Sequence, residues 1–137
     1  MTTLGAHLAA HGGAALIIDY GHRHSAPGDT LQAVRGHAFA DPLADPGEQD
    51  LTAHVDFEAL AKAAHPASVT PLVSQGTWLE RLGIGARAMA LAAKSPARTE
   101  AIAAARRRLC DAAQMGQLFK AIALRHPDWP AIAGFES

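Results

Sequence analysis

The run Gly13-Ala14-Ala15-Leu16-Ile17-Ile18-Asp19-Tyr20-Gly21-His22 constrains this chain more than any other segment of similar length. The unbroken apolar stretch from Ala14 to Ile18 offers no polar face to solvent, so it reads as an interior parallel strand. It stops abruptly in an acid, an aromatic and a glycine. Polar groups therefore stand at the strand's C-terminal edge, where open α/β sheets bind their ligands. Only Met1 to Gly12 come before it, too little chain to provide strand partners on both sides. The expectation is a sheet that is incomplete as a domain within this polypeptide.

Composition limits the partners. With 137 residues, 49% of them hydrophobic, the chain can bury a core and forms one domain or part of one, residues 1–137 with a tail from about 127. A net charge of -1 argues against a nucleic-acid surface, which needs clustered excess Lys and Arg. The single cysteine, Cys110, excludes internal disulfides and fits a reducing compartment. The first residues lack a basic region and the apolar run is too short to cross a bilayer, so the expectation is a cytoplasmic protein with no membrane span. Abundant Ala and Arg beside only three lysines, Lys62, Lys94 and Lys120, suggest a GC-rich bacterial source.

Along the chain, Leu4 to His11 predicts a short helix stopped by Gly12-Gly13. Residues 21 to 50 are rich in Gly, Pro and Asp and read as a long functional connection with one short strand at Thr30 to Val34. Asp56 is the expected N-cap of a helix whose apolar face holds Phe57, Leu60, Ala61 and Ala64. Ser68 to Ser74 reads as a strand closed by Gln75-Gly76. Thr77 to Leu82 and Ala86 to Ala93 read as helices broken at Gly83-Ile84-Gly85, and Pro96 precedes a helix to about Cys110. Met115-Gly116 interrupts the pattern, Leu118 to Leu124 reads as the last strand, and a polar tail follows. The order indicates an α/β protein.

Three features imitate chemistry. Gly83-Ile84-Gly85 follows a helical pattern rather than a strand, so it is a helix-helix turn before it is a nucleotide loop. Arg106-Arg107-Arg108 points in three directions around a helix and reads as a solvated face. Cys110 closes an amphipathic helix with no histidine near it, which favours a structural thiol. The histidines His22, His24, His37 and His54 lie in or beside the long connection and could meet a metal with Asp19 or Asp50, but their spacing matches no compact metal motif. His54 stands just before a helix start, where it either holds the loop or faces a ligand.

Taken together, Ala14-Leu16-Ile17-Ile18-Asp19-Tyr20-Gly21-His22, Gly28-Asp29-Thr30-Leu31-Gln32-Ala33-Val34, Asp41-Pro42-Leu43 with Pro46-Gly47-Glu48, Asp50-Leu51-Thr52-Ala53-His54-Val55-Asp56-Phe57, Gln75-Gly76 and Met115-Gly116-Gln117-Leu118-Phe119-Lys120 resemble the MidA-like family of class I S-adenosylmethionine-dependent methyltransferases. The resemblance covers nearly the whole chain and maps to the C-terminal half of the family's domain. It implies the C-terminal part of a Rossmann-like sheet with flanking helices. The family in turn resembles the mitochondrial complex I assembly methyltransferases, which modify an arginine of a complex I subunit. That implies S-adenosylmethionine as cofactor and a protein substrate with an arginine acceptor. Family members carry a glycine-rich loop after a first strand and an acid after a second, and neither precedes the strand here. Glycine lets the backbone approach the cofactor and the acid accepts from its ribose. Without them, tight cofactor binding by this chain alone is not expected.

On this reading Asp19, Tyr20 and His54 are the candidate catalytic residues, with Glu48 and Asp50 as substrate-binding acids. An arginine acceptor needs a carboxylate to orient its guanidinium and in-line placement of the attacking nitrogen. Strand-end capping and loop structure are the competing roles for these residues. The alternative function is a non-catalytic interaction module or truncated remnant. An apolar strand unpaired on one side invites self-association or pairing with an N-terminal half. A metal-dependent hydrolase built on the loop histidines is the third reading.

Overall fold

Leu4, Gly5 and Leu8 share one face of helix α1 (Thr2–His11), which ends at Gly12 with φ 80°. The chain turns at once into strand β1 (Ala14–His22). The computed structural model describes residues 1–136. The expected long loop is partly a second sheet: β2 (Gln32–Arg35), β3 (Ala38–Ala40) and β4 (Asp50–Thr52) form an antiparallel three-stranded sheet in the order β3-β2-β4. Gly36 and His37, both at positive φ, make its first turn. Strand β5 (Val55–Asp56) leads directly into α2 (Phe57–Ala63), where the Ala59 N–H donates to Asp56 Oδ1 at 2.9 Å. Asp56 is thus the cap that its type and position predict.

The expected strand at Ser68 to Ser74 is two pieces, β6 (Ser68–Val69) and β7 (Val73–Ser74). Pro71 between them has no N–H for a ladder. Thr70 spans the gap: its N–H donates to the Ala123 carbonyl, and its Oγ1 accepts from the Ala123 N–H, both at 2.9 Å. Gln75-Gly76 do not close this strand. They open α3 (Gln75–Arg81), because the Ser74 hydroxyl caps the Thr77 N–H. Gly83, left-handed at φ 85°, joins α3 to α4 (Ile84–Lys94), as expected of a helix-helix turn. Helix α5 (Thr99–Cys110) follows a short 3-10 turn begun by Pro96. Met115-Gly116 belong to a helical turn of their own, α6 (Met115–Leu118), before strand β8 (Phe119–Arg125).

The main sheet runs β5-β1-β8-β6, with β7 also on β8. This corrects the picture of β1 as an interior parallel strand. It pairs antiparallel with β8 from Ala14↔Arg125 to Tyr20↔Phe119, and parallel with β5 only at Gly21↔Val55 and His22↔Asp56. Among the described residues, the opposite edge of β1 from Ala14 to Tyr20 has no strand partner. The most enclosed strand is β8, whose residues Ala121 to Leu124 are all 2% exposed or less. One face of the sheet buries Ala15, Ile17 and Leu124 against Leu8, Ala64 and Ala67. The other packs Ala121 and Ala123 against Val73, Trp78, Ile132 and Phe135. The tail expected to be polar therefore contributes a core residue, Phe135; residue 137 of that tail lies outside the described residues. On this second face Leu16 and Ile18 stay exposed, while the tail and α3 pack on the β8 side, against Ala121 and Ala123.

Candidate functional site

Gly21 is where β1 and β5 come together. Any Cβ there would overlap the backbone N–H and carbonyl of Val55, so only glycine admits this approach. The close pairing carries His54, the residue before β5, to the C-terminal end of β1. There the Tyr20 and His54 rings meet edge to face, with centroids 5.8 Å apart at 82°. Phe119, directly across the ladder from Tyr20, meets it edge to face at 5.5 Å and 86°. His22, two residues on and hence on the same face, lies 6.5 Å from His54. The His54 N–H donates to Thr30 Oγ1 at 3.2 Å, which ties the segment leading into β2 to this cluster. Edge-to-face contacts on two sides hold the Tyr20 ring in one orientation.

Asp19 is not part of the cluster. Alternation along the strand puts its side chain on the opposite face, across from Lys120, and its Oδ1 accepts from the Tyr20 N–H at 2.8 Å. Glu48 is exposed and faces Arg35 at 4.0 Å, while Asp50 is exposed at the start of β4, opposite Val34. Among the described residues no hydrogen bond or ion pair joins either acid to Tyr20 or His54. The structure thus unites two of the five candidates. Phe119 and His22 complete the cluster; Phe119 lies in the string Met115-Gly116-Gln117-Leu118-Phe119-Lys120, but only the β1–β8 register makes it the partner of Tyr20.

At the same sheet edge Lys120 donates to the Gln117 and Leu118 carbonyls, and Arg23 donates to the Leu72 carbonyl. Partial burial, with Arg23 nearby, holds the Lys120 ammonium below the usual lysine range. Burial raises the Cys110 thiol, which disfavours the nucleophilic thiolate. Among the described residues no three His, Cys, Asp or Glu side chains gather tightly enough to hold a metal ion. His24 instead faces Glu58 at 3.8 Å, and His37 occupies the β2–β3 turn.

The β5–α2 junction that delivers His54 is expected to lose stability in acid. The Ala59 N–H, then Ser25 and more weakly His22, hold Asp56 below the ordinary carboxylate range. Because the unfolded state binds this proton more readily, the stabilisation is complete above the ordinary Asp range and disappears as pH falls through the depressed value. Asp56→Asn keeps a capping oxygen but cannot titrate. The stability advantage of the parent over Asp56→Asn, read as the difference in urea midpoint at successive pH values, is expected to shrink on acidification; a constant difference would refute the charge contribution.

The geometry of a strand end carrying an aromatic cluster can be compared with known proteins. The family described as "Putative S-adenosyl-L-methionine-dependent methyltransferase" matches residues 1–75, more than half of the chain. The chain belongs to this methyltransferase family. The protein arginine methyltransferase NDUFAF7 homolog of Drosophila melanogaster is 38% identical across 90% of this chain and 30% of its own length. The Mus musculus protein arginine methyltransferase NDUFAF7 is 40% identical across 85% of this chain and 27% of its own. A native crystal structure of a Burkholderia thailandensis protein superposes with TM-score 0.84 at 31% identity, across 98% of this chain and 39% of that one. A second, a superfamily member from the same organism bound to S-adenosyl-homocysteine, gives 0.78 at 34% identity, across 90% of this chain and 34% of that one. The chain spans less than a third of the length of these curated relatives. Its fold is accordingly part of a Rossmann-like methyltransferase sheet, with helices on both faces.

Proposed function

We propose that this chain forms the acceptor-side wall of an S-adenosylmethionine-dependent methyltransferase that acts on an arginine of a protein. The observation that carries this reading is the half-buried cluster of Tyr20, His54 and Phe119 at the C-terminal end of β1. Ligands of open α/β sheets bind at that end. A planar guanidinium is drawn to aromatic faces and stacks on them. Tyr20 and His54 would orient the acceptor nitrogen, and the enclosing rings would exclude water from it. The arginine-methyltransferase relatives support the same acceptor.

Gly12-Gly13 link a helix to a strand, the reverse of the strand-to-helix turn that cradles a phosphate or cofactor, and Gly83 links two helices. The Asp19 carboxylate is engaged by its own strand. The methyl donor that names the family is therefore assigned to the portion of the relatives beyond this chain's span. Pairing with such a portion along the open β1 edge is favoured by the exposure of Leu16 and Ile18, 48% and 39%. The same edge supports the second reading, a non-catalytic interaction module.

Calorimetric titration of the purified chain separates these readings. An arginine-containing peptide is expected to give saturable heat that Tyr20→Ala or His54→Ala removes in protein that circular dichroism shows to be still folded, whereas S-adenosylmethionine alone gives none. Micromolar binding of S-adenosylmethionine with no response to the peptide would overturn the assignment of the acceptor side.

A further inference from the structure

The near-neutral net charge conceals a strong separation. Residues 75–110, which span α3, α4 and α5, hold seven Arg or Lys and two Glu, while residues 19–58 hold eight Asp or Glu and two Arg. Both helical glutamates are already occupied, Glu80 by Arg106 at 2.6 Å and Glu100 by Arg107 at 2.7 Å. Among the described residues Arg87 has no ion pair or side-chain hydrogen bond, so the helical lobe presents uncompensated positive charge.

That lobe is also open. Neither α4 nor α5 fully buries a single side chain, although short helices depend on tertiary burial for stability. Between α3, α4 and α5 lies a trough of about 410 Å³ lined by Leu79, Leu82, Leu91, Ile102 and Leu109, with Arg87 and Arg106 beside them. Its volume is that of a pocket for a few apolar groups. Leu82 and Leu91 remain 47% and 42% exposed. The complementary surface is on the small sheet. Phe39 and Leu43 stand 81% and 85% exposed, with Asp50 on the same face of the small sheet as Phe39, both being paired with Val34, and with Asp41, Asp45 and Glu48 in the connection that carries Leu43; Leu51 lies on the opposite face with Ala33. Of those acids, Asp45 and Glu48 face Arg35, and Asp50 has no ion pair or side-chain hydrogen bond among the described residues.

We propose that the basic apolar trough of α3, α4 and α5 receives the acidic, Leu43-bearing tip of the small sheet from a second copy of this chain. Apolar protrusion meets apolar trough, and acidic rim meets basic rim, which selects this pairing over like-charged alternatives. Because the two surfaces differ, the contact is head-to-tail and extends beyond a dimer unless the rotation closes a ring. Leu43 and Leu91 are the central contacts, and Asp50 with Arg87 belongs to the rim.

Sedimentation velocity of the 137-residue chain over a concentration series tests this. The parent is expected to associate reversibly, and less at high salt. Leu91→Glu spoils the trough and Leu43→Glu the tip, and each alone is expected to weaken association about 30-fold or more, as for central interface anchors. Their equimolar mixture should form a heterodimer that grows no further, because one intact trough and one intact tip remain between the two variants. Arg87→Glu and Asp50→Lys, both exposed and away from the core, should each weaken association, and the pair mixed should recover it. This charge-reversal pair keeps the test decisive if a leucine variant unfolds. A parent that stays monomeric, mixtures that stay monomeric, or association that survives these variants and is lost in Ile18→Lys on the open β1 edge would overturn the proposal.

Discussion

Gly21→Ala is expected to lower stability by about 2–3 kcal/mol and to separate Tyr20 from His54. The added methyl has no space, since it would meet the N–H and carbonyl of Val55, and backbone cannot rotate aside as a flexible side chain can. Overpacking of this kind costs on the order of 1–3 kcal/mol where neighbours yield only partly. The cost is steric, because Gly21 is not among the positive-φ residues and alanine could adopt its backbone conformation. Relief requires β5 to move off β1 at Gly21↔Val55 and His22↔Asp56, and His54 moves with it. Urea denaturation reads the stability, and ring-to-ring nuclear Overhauser contacts between Tyr20 and His54 read the site. Parent-like values for both would show that the two strands are not in close register at Gly21.

Ile122→Ala is expected to cost about 3–4 kcal/mol, a large part of the roughly 5–15 kcal/mol that holds a domain folded. Ile122 is 2% exposed in the middle of β8, directly across from Ile17. It lies on the strand that joins β1, β6 and β7, so a cavity there loosens partners on both sides. The control is Leu16→Ala. Leu16 belongs to the apolar run that dominates the sequence but is 48% exposed, so its truncation should cost no more than about 0.5 kcal/mol in the isolated chain. Urea midpoints of the two variants measure the contrast. A larger loss for Leu16→Ala would mean that its face of β1 is covered, by a second copy or by other chain, under the conditions of the measurement.

These residues also show where reading from sequence succeeds. Helix α2 was legible to its first residue because an aspartate before an apolar face can accept the orphan N–H groups of the first turn. The turn at Gly83 was legible because a glycine between two helical patterns has few other uses. Of the small sheet only β2 was legible, as the short strand expected at Thr30 to Val34; β3 and β4 are three residues long and carry no measurable alternation. Proline misled at Ser68 to Ser74: the β-branched residues do enter the sheet, but Pro71 divides them and Thr70 bridges the gap with its hydroxyl. Phe135 went unnoticed among polar residues, although it lies 4% exposed against β8.

In the candidate site, the sequence by itself determined that Asp19, Tyr20 and His22 end an apolar strand and that His54 precedes a capped helix start. Those facts are local and follow from hydrophobic pattern and capping chemistry. The family resemblance rests on the same strings. Tertiary structure alone decided which of them meet. Alternation along β1 sends Asp19 to one face and Tyr20 to the other, and the antiparallel register with β8 selects Phe119 as the partner of Tyr20. The missing methyl at Gly21 lets β5 close in and bring His54 across thirty-odd residues of chain. Strand direction, register and the open edge of β1 depend on pairing energies between segments far apart in sequence. Hydrophobic pattern reports only that a segment will be buried, not which neighbour buries it.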